Sequence, residues 1–214
     1  MPKDASLFCC DLPGYGQSPS PGAWSFDGIM EPIEAAFRAQ FDRPVAVVGF
    51  CSGAAFACAL AARFPERVER LVLIDPFAYA PWYFRLFLKG EFGRRAYMST
   101  FNSPLGKRIT NWVLRKRQRS DEDFTQAFGK LNHEVVLNYL RALASIDARV
   151  LAGGLRLPVV LTRGENTFGA VRKSILILSE LWPQARVETL RNVGHLPLVK
   201  GRRQIQSILF GNKE

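Results

Sequence analysis

Val45-Ala46-Val47-Val48-Gly49-Phe50-Cys51-Ser52-Gly53 sets a β-branched apolar run directly before a Gly-x-Cys-x-Gly turn. Ala54-Ala55-Phe56-Ala57-Cys58-Ala59-Leu60-Ala61-Ala62 follows, a run of small helix-forming residues. The order strand, sharp turn, helix pushes the middle residue of the turn, Cys51, up at the carboxyl end of a sheet. Glycines two before and two after it keep side chains out of its way. Ser is the usual occupant of that middle position, and here Ser52 sits one place late. A helix starting at this point favours a thiolate at Cys51 through its N-terminal amides and dipole. On the pentapeptide alone, a glycine-rich turn with a buried, inert cysteine is an equal reading.

Outward from this unit, strands and helices alternate. Val68 to Ile74 reads as a second buried strand, with Asp75-Pro76 at its end. Upstream, Ser25 to Phe41 has the apolar spacing of an amphipathic helix, with Ser25 and Asp27 as caps. Ser6 to Asp11 is predicted as a short strand in which Cys9 and Cys10 are packing groups, followed by a turn-forming loop, Leu12 to Ser18. Residues 77–146 break the alternation. They are aromatic, basic and helical by period, and Asp121-Glu122-Asp123 is predicted to open the helix that runs through Tyr139. Strand Leu157–Thr162, helix Val171–Trp182, strand Arg186–Leu190 and a helix to about Phe210 close the chain. The fold class is therefore α/β, a mostly parallel sheet flanked by helices. Its core is residues 1–76 and 147–214, with a helical lid inserted at 77–146.

At 214 residues, the chain is long enough for one well-cored domain. Four cysteines without paired spacing, and only two histidines, give no disulfide framework and no metal set, so neither metal nor cofactor is expected. No membrane-spanning run and no secretory signal stand out, and a reducing cytoplasm is the expectation. The formal net charge is +10. Between Arg85 and Arg119 ten Lys and Arg residues face Glu91 alone, which suggests an anionic partner: an acidic carrier protein, coenzyme A, a lipid surface or nucleic acid. No recognised motif supports nucleic acid. A solvated helix face is the plainer explanation of such a run.

Three signatures stand in one order: Asp11-Leu12-Pro13-Gly14-Tyr15-Gly16-Gln17-Ser18, Val48-Gly49-Phe50-Cys51-Ser52-Gly53 and Val193-Gly194-His195-Leu196-Pro197. Together they resemble the α/β-hydrolase superfamily from about Ser6 to the C-terminus. The resemblance implies Cys51 as nucleophile, His195 as base, the Ser52 backbone amide as an oxyanion donor and a covalent acyl intermediate. The third member stays open. Where the family usually has an acid, this chain has Thr167, preceded by Glu165 and Asn166. Asn166 is one candidate to orient His195, as asparagine does in Cys–His–Asn sites. Asp75 is the other, because some members place the acid after the earlier strand. Asp75 also reads as a strand-end cap, and that plainer reading is slightly favoured. His133, the other histidine, reads as a surface residue.

Members of this superfamily normally have further N-terminal strands and a His-Gly loop that gives a second oxyanion donor. This sequence has no such loop, so a homodimer or a partner chain is expected to complete the sheet and the site. The function expected is a thiol-dependent acyl-transfer enzyme, a hydrolase or thioesterase-like protein. Its substrate would be a small acyl ester, thioester or lactone, carried on an acidic carrier protein or coenzyme A. Dienelactone hydrolases and polyhydroxyalkanoate synthases also place Cys in this box. The alternative is a non-catalytic hydrolase-like subunit that binds a small ligand or a partner protein.

Overall fold

A computed structural model describes residues 5–118, 131–147, 149, 151 and 153–211. Helix α1 (Phe26–Gln40) starts where the Ser25 side chain accepts the Gly28 amide, and it buries Phe26, Ile29, Met30, Ile33 and Phe37 on one face. Strand β1 (Val45–Phe50) leads into α2 (Gly53–Arg63), and α2 into β2 (Val68–Ile74). Between β2 and the next strand lie helices α3 (Trp82–Phe87), α4 (Gly90–Phe101), α5 (Pro104–Gln118) and α6 (His133–Ala144). Strand β3 (Val159–Gly164), α7 (Gly169–Leu181) and β4 (Arg186–Leu190) follow, then α8 (Pro197–Lys200) and α9 (Arg202–Phe210).

The four strands form one parallel sheet in the order β1-β2-β3-β4. Both faces of the middle strands are covered, which is why Leu71-Val72-Leu73-Ile74 is apolar without alternation. Leu71 and Leu73 face a large core shared with α1, α2 and α7. Val72 and Ile74 face a smaller one with Leu190, Val193 and Ile205 of α9. The carboxyl ends of all four strands therefore meet on one rim, where ligands of open α/β sheets bind. No helix among the described residues is long and apolar enough to cross a membrane.

Two sequence expectations need correction. Ser6–Asp11 is not a strand: Leu7 is 68% and Phe8 47% exposed, and Cys9 and Cys10 are exposed rather than packed. A strand exists only where a neighbour takes its backbone hydrogen bonds. Among the described residues β1 pairs with β2 alone, and Phe8 of the first segment lies edge-on to Phe41, just past the end of α1. The helix through Tyr139 starts at His133, where the Asn132 side chain accepts the Glu134 and Val135 amides. Asp121-Glu122-Asp123 lies outside the described residues.

Candidate active site

Cys51 leaves β1 in the left-handed region, at φ 53°, and donates its amide to the Ile74 carbonyl at 2.9 Å. A non-glycine residue held there carries about 1–3 kcal/mol of strain, kept by the surrounding structure. The two flanking glycines turn out to differ. A Cβ on Gly49 would lie 2.7 Å from both Ala54 Cα and Ala57 Cβ, so glycine lets α2 sit down on β1. A Cβ on Gly53 would meet nothing within 4 Å.

Asp75 repeats the same device one strand over. It leaves β2 at φ 48°, with its amide donated to Thr162 O at 2.9 Å, and it is fully buried. Its Oδ1 accepts the Gly164 amide at 2.8 Å; its Oδ2 accepts the Thr167 hydroxyl at 2.6 Å and faces His195 Nδ1 at 2.8 Å. A carboxylate only accepts, so Nδ1 carries the proton and Nε2 is left to face Cys51 Sγ at 3.5 Å. That contact either takes the S–H proton or gives an N–H to a thiolate. The ring is held by Phe168, Phe77 and Phe50, whose centroids lie 4.6, 5.8 and 5.9 Å away.

Electrostatics favour the protonated form of His195. Burial pushes the His195 imidazole down, but hydrogen bonds to Asp75 and Cys51, with the charges of both, outweigh it and raise the group to about 9. The chain Asp75–His195–Cys51 is thus wired to hold an imidazolium between two acceptors. Asn166, the other candidate to orient the ring, does not do so. The Nδ1 side of His195 is taken by Asp75 and Thr167, and Asn166 donates its backbone N–H to the Val193 carbonyl. Asp75 is also more than the strand-end cap the sequence favoured. The signal was there in combination: Thr167 where an acid is usual, and Asp75 free at the end of the earlier strand.

Ser52 stands at the N-terminus of α2, and its amide donates to no backbone acceptor among the described residues. It is therefore available to a developing oxyanion. A cavity of ≈ 350 Å³ opens above Cys51 and Ser52. Its far side comes from α4 and α6, including Tyr97, Phe101, Val136 and Leu140, and no charged residue among the described ones lines it. Cys58, two turns along α2, also lines it, with burial pushing its thiol up to about 12. His133 is half-buried, and its Nδ1 lies 3.1 Å from the hydroxyl of Tyr97, so it is not the surface residue the sequence suggested. No basic side chain among the described residues lines the cavity. Arg94 pairs with Glu134 and Glu91, and Arg95 with Glu91.

A family model described as alpha/beta hydrolase fold matches residues 2–201. The chain is 25% identical over 211 residues to the pimeloyl-[acyl-carrier protein] methyl ester esterase of Klebsiella pneumoniae, covering 91% of this chain and 77% of that protein. It is 44% identical over 66 residues to lipase LipV of Mycobacterium tuberculosis, covering 31% of this chain and 25% of the lipase. Among solved structures, the enol-lactonase of Burkholderia xenovorans superimposes with a TM-score of 0.68 at 17% identity, over 92% of this chain and 76% of that one. The hydrolase MGS-M2 from a deep-sea metagenome gives 0.71 at 16% identity, over 94% and 76%.

Proposed function

The chain belongs to the α/β-hydrolase fold family, and from that premise we propose that it is a thiol-dependent acyl hydrolase or acyltransferase using Cys51, His195 and Asp75. The observation that carries this reading is the unbroken relay from Asp75 Oδ2 through the His195 ring to Cys51 Sγ, at 2.8 and 3.5 Å. The relatives named as a lipase and a methyl ester esterase support ester-type substrates. The apolar cavity above the thiol supports an acyl chain as the recognised group, and helices α3–α6 act as its lid.

The chemistry follows from the geometry. The Cys51 thiolate attacks the carbonyl carbon, a C–S bond forms, and the oxyanion develops toward the Ser52 amide at the N-terminus of α2. His195 then gives its Nε2 proton to the departing oxygen or sulfur, which leaves as alcohol or thiol and leaves an acyl thioester on Cys51. The ring is now neutral. It takes a proton from water or another acceptor, which attacks the thioester; the Cys51 thiolate departs, the acid or new ester is released, and the imidazolium is restored. Asp75 keeps the Nδ1 proton in place throughout and is a positioning residue. Thioesters are the substrates best matched to this site. A thiolate leaves about as readily as Cys51 itself, whereas an alkoxide leaves well only when His195 protonates it in time.

A panel of acyl thioesters and p-nitrophenyl esters, run with the wild-type protein and Cys51→Ala, tests this. Turnover is expected for the wild type and none for the variant. Equal turnover by both, or none by the wild type on any substrate, contradicts the reading.

A further inference from the structure

Apart from its thiols and Ser52, the cavity takes its side-chain polarity from phenols: among the described residues Tyr15, Tyr79, Tyr97 and Tyr139 line it. Two of their hydroxyls are engaged. Tyr139 donates to the Pro13 carbonyl at 2.8 Å, and Tyr97 lies 3.1 Å from His133 Nδ1. The hydroxyls of Tyr15 and Tyr79 have no hydrogen-bond partner among the described residues. These two differ in setting. Tyr79 turns a ring face to the ammonium of exposed Lys173, 5.4 Å away. Tyr15 instead stands among the other phenols. Burial pushes it up to about 12, so it stays an O–H donor at neutral pH. Tyr97 and Tyr139 are raised as well, by burial first and then by Tyr15, which marks the three as close neighbours.

The backbone holds Tyr15 from both sides. It lies between Gly14 at φ 83° and Gly16 at φ 53°; its amide donates to the Leu12 carbonyl and its carbonyl accepts the Ser18 amide, both at 2.9 Å. Its ring centroid is 5.3 Å from that of Tyr139. Phe would serve this packing equally well, so the hydroxyl adds a fixed donor that the protein itself does not use. A ligand that covers a phenol without offering an acceptor leaves it unpaired, which is unfavourable. A ligand oxygen placed there is matched instead. Charge narrows the class of that oxygen. No cation among the described residues lines the cavity, and Glu134 adds to the rise at Tyr97. A carboxylate would lose its hydration here without gaining a partner charge. A keto, ester or hydroxyl oxygen does not carry that cost.

We propose that Tyr15 is a specificity-determining residue, whose hydroxyl donates to an uncharged oxygen on the acyl group, beyond the carbonyl that reacts at Cys51. The cavity thereby selects oxygenated acyl chains over plain alkyl chains of the same length. This rests on the acyl reading of the cavity, and it is tested by binding rather than turnover so that the two fail separately.

The Cys51→Ala protein, which lacks the attacking thiol, is titrated by calorimetry with methyl octanoate and with methyl oxo-octanoates that carry the keto oxygen at successive chain positions. At least one keto position is expected to bind about three- to tenfold tighter than methyl octanoate. Adding Tyr15→Phe, which keeps the ring, should bring that ratio to about one; adding Tyr79→Phe should leave it in place. Binding of methyl octanoate with no preference for any keto position overturns the proposal and leaves the acyl reading intact. A preference that survives Tyr15→Phe, or one that Tyr79→Phe removes, does the same. Tighter binding of the monomethyl ester of suberic acid, with a carboxylate at its far end, overturns the uncharged class. Binding of no ester overturns both readings, whereas a keto preference lost with Tyr15→Phe in a protein whose wild type turns over no ester upholds this one and overturns the acyl-transfer reading alone.

Discussion

On the floor of the cavity, Asp75 has both carboxylate oxygens hydrogen-bonded, and His195 is held at each ring nitrogen. Across the cavity, α4 and α6 offer aromatic and aliphatic side chains and no charge. The floor is made by backbone held rigidly: Cys51 and Asp75 both leave their strands with positive φ, and each donates its amide to a neighbouring strand. The roof is made by side-chain packing, with ring pairs such as Phe87–Tyr97 and Tyr97–Phe101 and the tie from the Tyr139 hydroxyl to the Pro13 carbonyl. Fixed donors and acceptors suit a site where proton positions matter. A packed apolar roof suits recognition of a chain that varies in length. Changes in the floor should therefore act on the rate of the chemical step, and changes in the roof on which acyl group is accepted.

The largest effect belongs to Asp75. Asp75→Asn turns an acceptor into a group that favours the wrong His195 tautomer, and a loss of up to about 10⁴ in kcat is expected at neutral pH. Retention of most activity would move the positioning role elsewhere in the floor.

The second effect is on pH. His195, raised to about 9, holds the proton for the leaving group below that value and loses it above. Turnover should fall about tenfold per unit once the pH passes about 9. The same shift has a stability consequence. A group raised in the folded state contributes stability that is fully present below its unfolded value, about 6.5, and is lost as pH rises through about 9. The thermal midpoint should decline across that window, and less so in Cys51→Ala, which removes one of the groups holding the imidazolium.

A smaller effect is expected at Thr167, whose hydroxyl donates to the Asp75 oxygen that faces the ring. Thr167→Val removes one hydrogen bond to a charge, about 1.5 kcal/mol, or about tenfold in kcat/KM. The smallest effect on rate belongs to the roof. Phe101→Ala enlarges the cavity. It should move the preferred acyl chain to greater length while kcat on the best substrate stays within about threefold. A loss of kcat on every substrate would mean that the roof also positions the reacting atoms, and the division drawn above would fail.

This division matches what the sequence made legible. Val68–Ile74 is a strand with the expected bounds, because a buried parallel strand is written as a local apolar run; Arg186–Leu190 also has the expected bounds, although it is mostly exposed. The elbow at Cys51 was readable for the same reason: strand, turn and helix are adjacent in the chain. Ser6–Asp11 misled, since its apolar pattern is strand-like but a strand depends on a neighbour that local sequence does not specify. The choice between Asn166 and Asp75 could not be made from either local stretch alone, for a related reason. It turns on how the loop after β3 sits against the end of β2, where Gly164, Thr167 and His195 converge on one buried carboxylate from residues 89 to 120 positions away. Thr167 looked like a missing acid. In the structure it is a hydrogen-bond donor to the acid supplied by another strand.

The central claim is that the Cys51 sulfur takes the acyl group. Intact-protein mass spectrometry after brief mixing with a medium-chain acyl thioester, followed by peptide mapping, tests it most directly. The account predicts one acyl addition, on Cys51, that decays with turnover and is absent from Cys51→Ala. An adduct on Ser52 or on exposed Cys9 or Cys10, or turnover with no adduct that Cys51→Ala eliminates, would contradict it.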